Sequence, residues 1–222
     1  MSDEPRLRFA GNTSVAGSAL FRRIAGVVGE RAVELFFRVL RRFRPVRERV
    51  TIGEYNDYVE KEHLARYHFA QSYCSGKVVA DIACGTGYGS DILRQVAARV
   101  DSYDKEFLCN NFTIDLERES WGKRYDVIVS FETLEHLGNP KFFLENAQMS
   151  ASLLIVSTPV GEFKGYNPHH KQVWSFEEFR QLIEKRFTCS YFFQQGETIH
   201  ADASSPIRFV IAVATPRDTC GD

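Results

Sequence analysis

The chain has 222 residues, of which 44% are hydrophobic and 26% are charged, and its formal net charge is −1. This length suits one soluble globular domain with an added element, or two small domains. The near-zero net charge argues that the molecule as a whole does not bind polyanions. None of the five cysteines belongs to a C-x-x-C pair, which argues against a disulfide framework or a structural zinc site and favours a reducing compartment such as the cytoplasm.

The charged residues are unevenly distributed along the chain. Residues 1–50 contain 11 arginines and no lysine against 5 acidic residues, whereas residues 51–222 contain 17 basic and 24 acidic residues. We therefore divide the chain into a basic N-terminal arm, residues 1–50, and an acidic folded domain, residues 51–222.

Within the arm, apolar residues recur at helical spacing from Ser18 to Phe43, and Pro45 ends the pattern, which predicts one or two amphipathic helices. Two interpretations of residues 18–44 stay open. The helix covers the domain or forms a homodimer contact, or its arginine-rich face lies on an anionic membrane surface. Neither a signal peptide nor a membrane-spanning apolar run is evident, so we expect a cytoplasmic protein, peripheral to the inner face of a membrane under the second interpretation.

The domain begins with a predicted helix over residues 55–73. Its expected inner positions are Tyr55, Val59, Leu64, Tyr67 and Tyr73. A second helix is predicted over residues 89–98.

Two later helices have recognisable starts. One begins at Asn139 and Pro140, a cap followed by a proline in the first turn, and the other begins at a capping box formed by Ser175 and Glu178 and runs to about Arg186.

Short runs rich in β-branched and aromatic residues predict the strands. They lie at residues 76–83, 99–104, 111–116, 125–131, 152–159, 187–195 and 207–215. Because strands alternate with helices in the centre of the domain, we expect a Rossmann-like α/β fold with a mostly parallel sheet, helices on both faces and an antiparallel finish.

The sequence DIACGTGYGS, residues 81–90, joins the first predicted strand to the following helix. A glycine-rich turn at this position presents backbone N–H groups to a ligand at the carboxyl edge of the sheet. Dinucleotides and adenosyl sulfonium compounds both use such turns. Gly85, Gly87 and Gly89 follow the order G-x-G-x-G, not the dinucleotide order G-x-G-x-x-G, and Asp81 would oppose a pyrophosphate but suit a ligand that carries an ammonium and a sulfonium.

Further acidic residues end the next two predicted strands. Asp104 stands 19 residues after Gly85, where a carboxylate can accept hydrogen bonds from two vicinal ribose hydroxyls. Asp101 is a competitor that lies earlier in the same strand. Asp115 is placed to accept the amino protons of an adenine, and Leu116 to offer its backbone N–H to the ring.

Three segments carry a family resemblance: VVADIACGTGYGS, YDVIVSFETLEHL and STPVGEFKGYNPHHKQVWSFEEF. They resemble the class I S-adenosylmethionine-dependent methyltransferases, in particular the small-molecule and sugar methyltransferases of polysaccharide and natural-product pathways. The resemblance runs from about Glu62 to Ala214. It implies a seven-stranded sheet with an antiparallel last strand, and methyl transfer from S-adenosylmethionine to a hydroxyl or amine of a small-molecule or sugar acceptor.

The same resemblance implies which residues hold the cofactor. Those in and after the first three strands are Asp81, Ala83, Gly85, Gly87, Asp104, Asp115 and Leu116. The segment EHLARYHFA resembles the helix that lies across the cofactor in this group, which adds Arg66 and Tyr67. The chain departs from the family pattern at residues 105–110, which are too few for the usual helix between the second and third strands. Either the third strand is displaced or this helix is lost, and a homodimer partner or the N-terminal arm would then complete the pocket.

Candidate catalytic residues follow the fourth and fifth predicted strands. Glu132 and His136 share one face if ETLEHL is helical, with Glu135 beside them, and the family pattern N-P-x-H selects His170 over His169. We expect Glu132, His136 or His170 to act as a general base, each having structural packing as its alternative role. Because the family often has an acidic residue at the position of Val173, we predict no metal.

The remaining conspicuous residues have simpler roles. We expect His63, His68 and His200 to lie at the surface or in packing, and Phe163, Tyr166 and Trp174 either to wall the acceptor pocket or to pack in the core.

Alternative functions are a nucleic-acid methyltransferase anchored by the arm, a non-catalytic scaffold and a peripheral membrane protein. The acidic domain argues against the first of these, so we expect no nucleic-acid partner.

Overall fold

The computed structural model describes residue 53 and residues 57–106, 111–162, 164–203 and 207–218. The predicted arm and its amphipathic helix over residues 18–44 lie outside these residues, as do Tyr55 and Phe163. The division near residue 50 therefore stays a prediction.

The strands are β1 (Val78–Ile82), β2 (Arg99–Asp104), β3 (Phe112–Thr113), β4 (Tyr125–Phe131), β5 (Ala151–Pro159), β6 (Phe187–Gln195), β7 (Thr198–His200) and β8 (Phe209–Pro216). In the described residues they form one eight-stranded sheet in the order β3-β2-β1-β4-β5-β8-β6-β7. Strands β1 to β5 pair in parallel, and β8 pairs antiparallel with both β5 and β6. The predicted fold class is confirmed, and the short strand β7 adds a hairpin at the edge that the sequence did not predict.

The helices are α1 (Asp57–Cys74), α2 (Tyr88–Arg94), α3 (Pro140–Ser150) and α4 (Phe176–Ile183), with a 3₁₀ turn at Leu134–His136. The predicted start of α3 is confirmed, with Pro140 in the first turn, although the Asn139 side chain makes no capping hydrogen bond. The predicted capping box of α4 is present in full. Helix α4 ends before the predicted Arg186, because β6 begins at Phe187 and the chain must turn first.

Alternate residues of the strands pack into a hydrophobic cluster on each face of the sheet. On one face, Ile82 lies in the same cluster as Phe143 of α3 and Phe179 of α4. On the other face, Val79 packs in a cluster with Leu93 of α2. Helices therefore cover both faces, as expected for a mostly parallel sheet whose strands are buried on both sides.

Helix α1 turns a partly charged side toward the protein. Its buried residues are Glu62, Arg66, Tyr67, Ala70 and Cys74. Of the expected inner positions that the structure describes, only Tyr67 is buried, and Val59, Leu64 and Tyr73 are half-buried. The apolar periodicity of this helix was misleading because two of its innermost side chains carry charge and find distant partners. Arg66 binds Gln194 of β6, and Glu62 binds Arg208, directly before β8.

The described residues of the shortened connection after β2, Lys105, Glu106 and Asn111, are not helical, and residues 107–110 lie outside the described residues. The third strand is nevertheless not displaced. Tyr103 pairs with Phe112 in parallel register, their rings stack at 4.8 Å, and the Ile114 N–H donates to the Asp104 carbonyl over 2.9 Å. Of the two expected alternatives, the displaced strand is wrong, and the loss of the helix stays a prediction.

The third glycine of the turn motif is required by packing within the protein. A Cβ atom added to Gly89 would lie 2.0 Å from the ring of Tyr67. Helix α1 can therefore approach α2 this closely only where α2 has no side chain.

We expect the Gly89→Ala variant to be less stable than the natural chain by about 1–3 kcal/mol in urea unfolding, because the Tyr67 ring must be displaced. Alanine at an unobstructed helical position would instead add roughly 1 kcal/mol of stability. In a Tyr67→Leu background, which removes the ring, most of the loss should disappear. A Gly89→Ala variant as stable as the natural chain would contradict the contact.

Candidate active site at the carboxyl edge of the sheet

The glycine-rich turn between β1 and α2 has an unusual backbone. Ala83, Gly85 and Gly87 all have positive φ angles, of 62°, 57° and 87°. Such angles are unfavourable for alanine, so the turn holds Ala83 in a strained conformation. A Cβ atom added to Gly85 would meet no heavy atom within 4 Å, so the bare backbone of the turn faces open space. These features fit a turn that presents its main chain to a ligand.

Asp104, at the end of β2, lies directly beside this turn. Its carboxylate accepts the Gly85 N–H over 2.8 Å and the Glu106 N–H over 3.2 Å, and only 4% of the residue is exposed. Its competitor Asp101 accepts hydrogen bonds from the Tyr125 hydroxyl and from Lys123, away from the turn. The structure thus brings Asp104, and not Asp101, to the predicted cofactor position.

Asp81 is fully buried beneath the turn. Its two oxygens accept hydrogen bonds from the Ser90 hydroxyl over 2.6 Å and from the Tyr67 hydroxyl over 3.2 Å. Burial raises the pKa of Asp81 to about 6, although both hydrogen bonds favour the charged form. Asp81 and Tyr67 therefore support the turn from within the protein.

Arg66 lies fully buried on α1, with a guanidinium group that is only partly satisfied. Its Nη1 donates to Gln194 over 2.7 Å, and the group stacks 4.4 Å from the Phe209 ring centroid. Among the described residues, neither Nε nor Nη2 has a hydrogen-bond partner. A buried cation with two unused donors is costly unless an anion binds it.

Asp115 and Leu116 follow β3 at the same edge of the sheet and are half-buried. One oxygen of Asp115 accepts the Glu117 N–H over 3.0 Å, and its own N–H donates to Glu119 over 3.2 Å. Because β3 stays paired with β2, the short connection does not remove these residues from the edge.

Four acid and histidine side chains gather after β4 and β5, and we name Glu132, Glu135, His136 and His170 the Glu/His cluster. The nearest ligand atoms of Glu135, His136 and His170 all lie within 4.8 Å of one another. Glu132 follows β4 with a positive φ of 51°, a strained conformation for a residue with a side chain. The condition under which Glu132 and His136 would share one helix face is not met, since only Leu134–His136 of ETLEHL form a 3₁₀ turn.

The two carboxyl groups of this cluster are anchored by the end of β5. Ser157 donates to Glu132 over 2.8 Å, and Thr158 donates to one oxygen of Glu135 over 3.0 Å. Burial and the neighbouring Glu132 carboxylate raise the pKa of Glu135 well above its ordinary value. Burial also raises the pKa of Glu132, against a lowering effect from the Arg66 charge.

The two histidines of the cluster pack edge to face, with ring centroids 4.9 Å apart. Nδ1 of His136 lies 3.2 Å from the His169 carbonyl, and Nδ1 of His170 lies 2.7 Å from a Glu162 oxygen. Nε2 of His170 accepts the Asn167 amide over 2.9 Å. Nδ1 is therefore the donor in both rings, and Nε2 of His170 is an acceptor, which leaves a neutral His136 with its lone pair on Nε2.

Sequence reasoning missed several residues that build this site. Ser157 and Thr158 could have been found, because the carboxyl ends of the adjacent parallel strands β4 and β5 meet at one edge. No local pattern marks Glu162. The other conspicuous histidines lie outside the cluster: His63 binds the Tyr88 hydroxyl, and His68 and His200 are exposed. Trp174 is partly buried against the hydrophobic core, and Tyr166 is half-buried.

The sheet order and the helices on both faces define a Rossmann-like α/β fold, and the comparisons assign the chain to a family. A family model described as a methyltransferase domain matches residues 55–199, more than half of the chain. The chain belongs to this methyltransferase domain family. The predicted family, enzyme class and cofactor, S-adenosylmethionine, are thereby confirmed at the level of the family.

Curated proteins with a similar sequence agree with this assignment. A probable S-adenosylmethionine-dependent methyltransferase from Mycolicibacterium smegmatis is 26% identical over 149 residues, 58% of this chain and 58% of that protein. The chain spans little more than half the length of the curated relatives it matches.

Solved structures show the same fold at low sequence identity. The N-methyltransferase NodS from Bradyrhizobium japonicum, in complex with S-adenosyl-L-homocysteine, is 15% identical, with a TM-score of 0.59 over 82% of this chain and 98% of that one. A 1,6-didemethyltoxoflavin-N1-methyltransferase from Burkholderia thailandensis is 12% identical, with a TM-score of 0.58 over 98% of this chain and 94% of that one. Among the described residues, no helix combines the length and apolar character needed to cross a membrane.

The raised pKa of Asp81 predicts a pH-dependent stability. An acid whose pKa is higher in the folded than in the unfolded chain stabilises the fold at low pH, and this contribution is lost as the pH rises from about 4 through about 6. The measurement is the free energy of unfolding in urea between pH 4 and pH 7.5. Asp81→Asn should reduce the fall of this free energy with rising pH by about 3 kcal/mol. The exposed residue Asp218 provides the control, since Asp218→Asn should leave the dependence unchanged. Equal pH profiles for Asp81→Asn and the natural chain would contradict the assignment.

Proposed function

We propose that this chain transfers a methyl group from S-adenosylmethionine to a hydroxyl or amine of a small-molecule or sugar acceptor. The observation that carries the proposal is the meeting of two parts at one sheet edge. The glycine turn with Asp104 provides a place for an adenosyl group, and the Glu/His cluster, which follows β4 and β5, provides groups that can take a proton.

The residues present fit the donor. The bare main chain at Gly85 admits a close ligand, and the Asp104 carboxylate beside it suits the ribose hydroxyls. Asp115 and Leu116 would serve the adenine.

The amino-acid part of the donor carries a carboxylate, an ammonium and a sulfonium. The unused Nε and Nη2 donors of Arg66 suit the carboxylate. Both oxygens of Asp81 are occupied by protein hydroxyls, so we assign it an electrostatic role toward the positive groups and assign Tyr67 the role of holding Asp81 in place.

The bound donor supplies a methyl group already activated by the sulfonium, so the chain's own residues must align the acceptor and remove its proton. His170 and His136 present Nε2 as the acceptor nitrogen, and Glu132 presents a carboxylate. We propose that the proton goes to one of these three groups.

Donor binding provides the first test. Isothermal titration with S-adenosylmethionine should show one site, and Asp104→Ala should weaken it roughly 10- to 100-fold, the range for charge-assisted hydrogen bonds of about 1.5–3 kcal/mol. Asp101→Asn, on the same strand, should bind like the natural chain. Absence of binding by the natural chain would end the proposal, and equal losses in both variants would reject the ribose assignment.

The role of Arg66 can be tested separately. Arg66→Met keeps an unbranched chain but removes the donors, so S-adenosylmethionine should bind roughly tenfold or more weakly, whereas adenosine, which has no carboxylate, should lose no affinity. The control is Lys61→Met, an exposed position on the same helix. If Arg66→Met weakens both ligands equally, Arg66 supports the fold and does not hold the carboxylate.

A further inference from the structure

The Glu/His cluster contains a buried oxygen atom that the proposed proton transfer does not explain. Glu135 is 1% exposed, and its Oε2 accepts the Thr158 hydroxyl over 3.0 Å. Its Oε1 has no hydrogen-bond partner among the described residues. A buried carboxylate oxygen without a donor is costly unless a cation completes its surroundings.

The carboxylate of Glu135 also lies close to two histidine nitrogens that complete a possible metal ligand set. A carboxylate oxygen of Glu135 and one nitrogen each of His136 and His170 lie mutually within 4.8 Å. Three ligand atoms bound to one ion at about 2.0–2.2 Å would be separated by roughly 3–4 Å, so small side-chain movements bring this set to bonding distance.

The outer contacts of both histidines are those that usually orient metal ligands. The His169 carbonyl holds Nδ1 of His136, and the Glu162 carboxylate holds Nδ1 of His170. A histidine whose Nδ1–H donates to a carbonyl or carboxylate has a fixed tautomer and offers its Nε2 lone pair to an ion. The amide of Asn167, which now donates to Nε2 of His170, would give way to that ion.

We propose that Glu135, His136 and His170 bind one divalent transition-metal ion. Two imidazoles and one carboxylate suit Zn²⁺, Mn²⁺, Co²⁺ or Fe²⁺ better than Mg²⁺ or Ca²⁺, which prefer oxygen ligands alone. This revises the expectation of no metal, which rested on Val173. The carboxylate ligand comes instead from the 3₁₀ turn after β4.

The consequence for catalysis rests on the proposed function. With both histidines occupied as ligands, Glu132 is the group of the cluster left to take the acceptor's proton. The acceptor is then a hydroxyl compound, because the ion polarises a hydroxyl oxygen but would occupy the lone pair of an amine. The O–H proton passes to Glu132, a C–O bond forms to the methyl carbon, and the C–S bond breaks with its electron pair remaining on sulfur.

The test is titration of the full chain, first treated with a chelator, with Zn²⁺ in a calorimeter and with Co²⁺ by visible absorption. We expect one equivalent of each ion to bind at the same site. Glu135→Gln and His170→Ala should each weaken binding at least tenfold, and Glu162→Leu should weaken it 10- to 100-fold, the effect of removing an outer partner of a ligand. His200→Ala, an exposed histidine on β7, is the control and should bind like the natural chain.

Two results would overturn the site: no stoichiometric binding by the natural chain, or binding that the Glu135, His170 and Glu162 variants leave intact. Thermal melting of each variant identifies any that fail to fold, and the remaining variants then decide. A parallel titration with S-adenosylmethionine separates the two proposals. Donor binding without metal binding would reject the ion alone, whereas metal binding without donor binding would reject the methyl-transfer proposal alone.

Discussion

The site depends on the parallel pairing of β1 with β2 on one side and with β4 on the other. This register places Ile82 opposite Tyr103 and Asp81 opposite Val129, so the three strands end together. The glycine turn, Asp104 and Glu132 follow from the ends of these strands, and the hydrogen bond from Gly85 to Asp104 joins the first two directly. A one-residue slip would turn each strand's side chains to the opposite face and separate these groups.

Buried charge is the second constraint on this edge. Asp81, Glu135 and Arg66 are almost fully buried, and burial opposes the ionised form of each carboxyl group. Asp81 is satisfied by two hydroxyls inside the protein, whereas Glu135 and Arg66 keep donor or acceptor atoms that have no partner among the residues the structure describes. The contrast indicates that Asp81 is part of the support of the turn, and it is the reason for proposing that Glu135 and Arg66 bind a cation and the donor's carboxylate.

The parts of the site that lie in one short segment could be predicted from sequence, and those assembled from distant segments could not. The turn and Asp104 were found because a strand, three glycines and an acid at a fixed distance form a local pattern. The inner side of α1 was missed because the partners of Glu62 and Arg66 lie more than a hundred residues away, on β6 and directly before β8. The contact of Glu162 with His170 has the same origin, since it depends on how the loop after β5 folds back.

Arg66 connects the two halves of the site. It lies on the helix that crosses the turn, and its charge also stabilises the carboxylate form of Glu132, against the effect of burial. The group assigned to the donor's carboxylate therefore acts electrostatically on a group assigned to proton transfer. Both halves share one low-dielectric region, where a single charge influences its neighbours far more strongly than it would in water. For this reason the donor site and the Glu/His cluster are best understood as one electrostatic unit, although they are built from segments far apart in the sequence.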